Sequence, residues 1–132
     1  MTEIDLRIDP FPGNAELAAL WKAAWGDEGP ADFQPILAHS LVHLGAYDGD
    51  GLVGFLHVAF DGGVHAFLLD PTVHPSCRHQ GLGTRLVKEA ARLARECGAE
   101  WLHVDYEPHL ATFYAGCGFR PTEAGVMRLI PA

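Results

Sequence analysis

Apolar residues alternate at the start of the chain: Ile4, Leu6 and Ile8 share one side of Glu3 to Ile8, the period of a half-buried strand. Pro10, Pro12 and Gly13 end it. Asn14 then opens a helix in which Leu17, Leu20, Trp21, Ala24 and Trp25 recur at helical spacing, and Gly26 closes it. A second, short helix is predicted from Asp32, with Pro35 confined to its first turn, where a missing N–H is tolerated. Leu41 to Tyr47 and Leu52 to Phe60 read as strands joined by the turn Asp48-Gly49-Asp50-Gly51, and Asp61-Gly62-Gly63 leads to a third, Val64 to Val73. In the second of these, Phe55, His57 and Ala59 alternate with Leu56, Val58 and Phe60, the two faces of a central strand.

The period then changes. From Gly83 to Cys97, residues Leu86, Val87, Ala90, Leu93, Ala94 and Cys97 fall on one helical face, and Gly98 supplies the terminating glycine. Trp101 to Tyr106 is predicted as a strand. Pro108 suits the first position of a helix running to about Gly116, with Gly118 just past its end. Phe119 and Val126 to Ile130 are predicted as final short strands. No repeat, low-complexity tract or linker divides residues 1–132, so the order β-α-α-β-β-β-α-β-α-β-β belongs to one α/β or α+β domain.

Composition narrows the function classes. Nine Lys and Arg stand against 17 Asp and Glu, a formal net charge of −8, which disfavours nucleic acid and anionic membrane surfaces, both of which are bound through clustered cations. Cys77, Cys97 and Cys117 are an odd set without CxxC spacing, so neither a disulfide framework nor a zinc ribbon is expected. His39 and His43 are four apart, but His43 lies in a predicted strand and no Glu follows His39, so no metal site is predicted. There is no signal-like start and no apolar run long enough for a membrane span, so a cytoplasmic location is expected.

The chemistry concentrates in Val73-His74-Pro75-Ser76-Cys77-Arg78-His79-Gln80-Gly81-Leu82-Gly83-Thr84, which links a strand to the strongest predicted helix. Gly81 and Gly83 admit positive φ or a close ligand, and the N–H groups opening a helix have no intrahelical partner and favour an anion. Arg78 adds a fixed charge and Thr84 a hydroxyl. A Walker A loop would need Lys before Thr84, and a dinucleotide fingerprint would need glycine where Leu86 stands; neither is present.

The segment resembles the acyl-coenzyme A signature of the GNAT superfamily of N-acetyltransferases, Arg/Gln-x-x-Gly-x-Gly/Ala, through Arg78-x-x-Gly81-x-Gly83 preceded by Val73-x-Pro75. Ala111-Thr112-Phe113-Tyr114-Ala115-Gly116-Cys117-Gly118-Phe119 is similar to a second element of that family, and the element order agrees over nearly the whole chain. The resemblance implies a central mixed, mostly antiparallel sheet of about six to seven strands with about four helices. It further implies transfer of an acetyl group from acetyl-CoA to a primary amine of a small molecule or peptide by direct attack.

Residue by residue, the resemblance implies that the pyrophosphate of CoA lies on the backbone amides of His79, Gln80, Gly81, Leu82, Gly83 and Thr84, beside Arg78. The pantetheine arm would pair with the main chain of Leu69, Thr72 and Val73, and Pro71 would sit at a strand bulge beside the acetyl group. Tyr114 would protonate the departing thiolate. His103, on the predicted strand Trp101–Tyr106, is the candidate base because an imidazole titrates near neutrality; Asp70, Glu107 or a water chain are the alternatives. One departure is Glu107-Pro108-His109, where the family frequently has Asn. A non-catalytic acyl-CoA-binding regulatory module remains the competing function. The acidic balance suggests a cationic acceptor, and edge strands near the C-terminus suggest a homodimer.

Overall fold

The structure, a computed structural model, describes residues 3–131. Its elements are β1 (Ile4–Ile8), α1 (Asn14–Trp25), α2 (Gln34–His39), β2 (Val42–Asp48), β3 (Gly51–Phe60), β4 (His65–Val73), α3 (Leu82–Glu96), β5 (Trp101–His103) and α4 (Ala111–Gly116). Single 3-10 turns at Pro75–Cys77 and Pro108–Leu110 precede α3 and α4. The strands form one sheet in chain order, β1-β2-β3-β4-β5. The first three pairings are antiparallel, and β4–β5 is parallel, which requires the crossover that α3 provides.

The sheet is covered on both faces. Val42, Leu44, Ala46, Leu56, Val58, Ala66 and Leu68 pack under Leu82, Leu86, Val87, Ala90 and Ala94 of α3. On the other face Leu17 and Leu20 of α1 and Leu37 of α2 meet Phe33, Tyr47, Leu52 and Phe55. Asn14 fastens α1 to the entry of α2: its side-chain oxygen accepts from the Phe33 N–H (3.0 Å), and its Nδ2 donates to Asp32 (3.0 Å). Among the described residues no helix is long and apolar enough to cross a membrane.

Several sequence expectations need correction. The sheet has five strands among the described residues, not six to seven. Residues 119–131 form no strand, although Val126, Met127, Leu129 and Ile130 are apolar; they are 85%, 83%, 88% and 62% exposed. An apolar run becomes a strand only where a neighbouring edge satisfies its backbone groups. The strand expected over Trp101–Tyr106 stops at His103, because its pairing with β4 ends at Phe67↔His103. The second helix starts at Gln34 with Phe33 as its N-cap; Asp32 lies one residue further out and accepts from the Gln34 N–H (3.0 Å).

Candidate active site

The turn before α3 is shaped to hold an anion. Gly81 has φ +81 with no atom within 4 Å of where a Cβ would stand, so glycine is needed there for conformation rather than space. Gly83 is needed for space: a Cβ would lie 3.2 Å from the Phe113 ring of α4. Among the described residues the backbone N–H groups of His79, Gln80, Gly81, Leu82, Gly83 and Thr84 donate to no acceptor, and Arg85 is the first to bond back, to the Gly81 carbonyl (3.1 Å). Six donors in succession at the positive end of a fifteen-residue helix suit a diphosphate. Arg78, expected only as a positive charge, also donates to the Ala24 carbonyl in the last turn of α1 (3.0 Å). That bond uses one of its five N–H groups.

A bulge interrupts β4 upstream of this turn. Phe55 pairs with Thr72 and His57 with Leu69, so Asp70 and Pro71 together oppose the single residue Leu56. Asp70 takes up the extra length with φ +52, a conformation that costs an L-residue roughly 1–3 kcal/mol and persists only where its surroundings hold it. The Asp70 carboxylate accepts from Nε2 of His57 (2.8 Å). Because a carboxylate only accepts, the neutral imidazole of His57 carries its proton on Nε2 and leaves the lone pair on Nδ1. No described residue bonds that Nδ1, and no sealed-off side-chain polar atom is left without a partner, so Nδ1 keeps some access to solvent. Sequence reasoning missed His57. The available signal was a histidine among apolar neighbours on a covered strand face, a position that demands a polar partner.

Beyond Phe67 and His103 the two strands part, leaving the outer main-chain edge of Leu69 to Val73 unpaired. A cavity of about 710 Å³ reaches that edge only at Leu69; it runs along β5 to Tyr106, against Ala91 and Ala94 of α3, and to Phe119 and the chain beyond it. Tyr114 lies behind Tyr106, stacked at 4.8 Å, with Phe119 edge-on at 5.7 Å. It is 4% exposed, and burial, with smaller contributions from Cys117 and Asp105, pushes its phenol up to about 12. The group is therefore protonated at any physiological pH. Its hydroxyl has no partner among the described residues, yet is not sealed off.

The structure separates the other candidates from this centre. His103 is exposed at the last β4–β5 pairing; its Nε2 meets Nδ1 of His65 (2.8 Å) and its ring stacks on Phe67. Glu107 is exposed ahead of α4, 3.5 Å from His109. A second histidine on the face of His57, His43, is its cross-strand partner. His43 accepts the Phe11 N–H at Nε2 (2.9 Å) and faces Asp9 through Nδ1 (3.3 Å), and burial lowers its pKa. Both of its nitrogens are engaged, so it has none to offer a substrate.

Comparison with known proteins agrees with this layout. Residues 5–119 match the model of the acetyltransferase (GNAT) family. A protein of Oryza sativa subsp. japonica, named as a probable glucosamine 6-phosphate N-acetyltransferase 2, is 36% identical over 69 residues, which are 52% of this chain and 40% of that one. The chain thus spans under half of that relative's length. A GNAT family acetyltransferase from Streptococcus pneumoniae superposes with a TM-score of 0.81 at 26% identity, covering 97% of this chain and all of the other. An aminoglycoside N-acetyltransferase in complex with CoA shares the fold, with a TM-score of 0.75 at 21% identity over 100% of this chain and 97% of that one. With the family model spanning most of the sequence, from the first strand to the end of the α4 motif, the chain belongs to the GNAT acetyltransferase family.

Proposed function

We propose that this protein transfers an acetyl group from acetyl-CoA to a primary amine of a small molecule or peptide, with the His57–Asp70 pair as base and Tyr114 as acid. One observation carries the reading. Tyr114 is buried in the core under α3, and His57 stands on the other face of the sheet, on the side of α1 and α2, bonded to Asp70 at the β4 bulge that adjoins the unpaired edge. When bound, acetyl-CoA supplies the thioester; the amides of His79 to Thr84 and Arg78 hold its diphosphate, and the free edge of Leu69 to Val73 pairs with its arm. Nδ1 of His57 takes the proton that leaves the attacking amine, while Asp70 holds the imidazole in the tautomer that leaves Nδ1 vacant. As the N–C bond forms and the C–S bond breaks, Tyr114 directs its O–H at the sulfur from the other face. The amide and the CoA thiol are the products.

The acceptor side supports a cationic amine. Residues 26–33, which join α1 to α2, carry Asp27, Glu28 and Asp32 and no Lys or Arg. A polyamine, an aminoglycoside or a lysine-like amine fits that surface better than the phosphorylated amino sugar in the rice protein's name. The test is thiol release from acetyl-CoA with a panel holding all four acceptor types. Turnover that drops roughly a hundredfold in His57→Ala and Asp70→Asn supports the assignment. CoA binding with no turnover on any amine would leave a non-catalytic acyl-CoA-binding module instead.

The exposed apolar stretch Val126–Ile130 beside the short edge strand β5 supports a homodimer, and light scattering should return twice the chain mass.

A further inference from the structure

Asp70 holds an unfavourable backbone conformation with a proline directly after it, which restricts the preceding residue further. Something must hold it there, and the hydrogen bonds around it identify what does. Thr72, two residues on and 2% exposed, donates its hydroxyl proton to the Asp70 carbonyl (2.9 Å). The Thr72 hydroxyl oxygen in turn accepts from the indole Nε1–H of Trp25 (3.3 Å), at the end of α1. The chain of contacts therefore runs Trp25, Thr72, Asp70, His57, from the half-exposed end of the acceptor-side helix to the base. Neither Trp25 nor the Thr72 hydroxyl touches the imidazole. The main chain of Thr72 meanwhile lies on the strand edge proposed for the CoA arm.

We infer that Trp25 and the Thr72 hydroxyl are positioning residues, locking the left-handed turn at Asp70 so that its carboxylate stays on His57. The inference rests on the acetyl-transfer reading. It predicts a separation of effects: the chemical step should suffer while CoA binding, through backbone amides elsewhere, should not. It also predicts non-additivity, because a group that acts only through the dyad has nothing left to act on once His57 is gone.

The experiment compares Thr72→Val, Thr72→Ser, Trp25→Phe, His57→Ala and the double variant Thr72→Val/His57→Ala, using acetyl-CoA and the amine of the panel that turns over fastest. Thr72→Val should lower kcat roughly tenfold with KM for acetyl-CoA within about twofold. Thr72→Ser, which restores the hydroxyl, should stay within about threefold of the parent, and Trp25→Phe should fall between the two. The double variant should be no slower than His57→Ala alone. Parental kcat in Thr72→Val, or the same loss with and without His57, would overturn the inference. Should Thr72→Val fail to fold, Trp25→Phe decides in its place: parental kcat there refutes it. If His57→Ala itself runs at the parental rate, or no amine turns over, the proposed reaction falls first and this inference with it.

Discussion

Tyr114→Phe removes one oxygen and should separate activity from stability. The phenol, pushed up to about 12, lies about 3.5 units above an ordinary alkyl thiol near 8.5. At about 1.4 kcal/mol per unit, complete proton transfer to a free thiolate is uphill by about 5 kcal/mol. In the proposed reaction Tyr114 would therefore act by donating a hydrogen bond to sulfur as negative charge gathers there, with solvent completing the protonation. A hydrogen bond to a charged group is worth about 1.5–3 kcal/mol, so its loss should slow the chemical step about 10- to 150-fold. The hydroxyl has no protein partner, so the folded state loses nothing specific, and unfolding should change by less than about 0.5 kcal/mol. Single-turnover thiol release reads the first quantity free of product release, and urea denaturation reads the second. A single-turnover rate within twofold of the parent would refute any role of the Tyr114 O–H at the sulfur. A destabilisation above about 2 kcal/mol would show that the hydroxyl is a structural partner after all.

Two further outcomes follow from local geometry. Gly81→Ala places a side chain at φ +81 in open space, so the cost is purely conformational, about 1 kcal/mol; KM for acetyl-CoA should rise because the turn's amides realign, and an unchanged KM would remove the turn from the cofactor site. Burial lowers the pKa of His43, so as pH falls the unfolded chain binds that proton before the folded one does. Its contribution is full above the unfolded value of about 6.5 and is lost as the pH drops below it toward the folded value. The melting temperature should therefore decline from pH 7 to 5, and less steeply in His43→Gln; identical slopes would contradict the buried-neutral assignment.

Local patterns found the parts of the fold that local forces decide. The Asp48–Gly51 turn, the amphipathic face of α3 and its terminating Gly98 each follow from spacing and a backbone requirement within a few residues. Pro71 pointed to an edge or a bulge for the same reason, and the family resemblance chose the bulge. The proposed His57–Asp70 pair was legible only in part, Asp70 as an alternative base, because the two residues are thirteen apart and meet only after β3 and β4 take their register and the bulge turns the carboxylate inward. The alternation that identified β3 as a central strand also disguised His57 as one more face residue. At the C-terminus the failure ran the other way: Val126 to Ile130 has a strand's composition, but strand formation also needs an open edge in the right place, which composition does not report.

The left-handed turn at Asp70 also narrows which amino acids can occupy that position over evolutionary time. Apart from glycine, asparagine and aspartate are the residues least penalised at φ near +52, and only aspartate among the three brings a charge. Glutamate, the usual conservative exchange for aspartate, is penalised by the backbone, whereas asparagine is welcome to the backbone and discards the carboxylate. A single-base change from an aspartate codon to an asparagine codon would thus keep the backbone while removing the carboxylate on which the proposed base depends. In descendants that kept this architecture while abandoning catalysis, asparagine at position 70 is the footprint to look for.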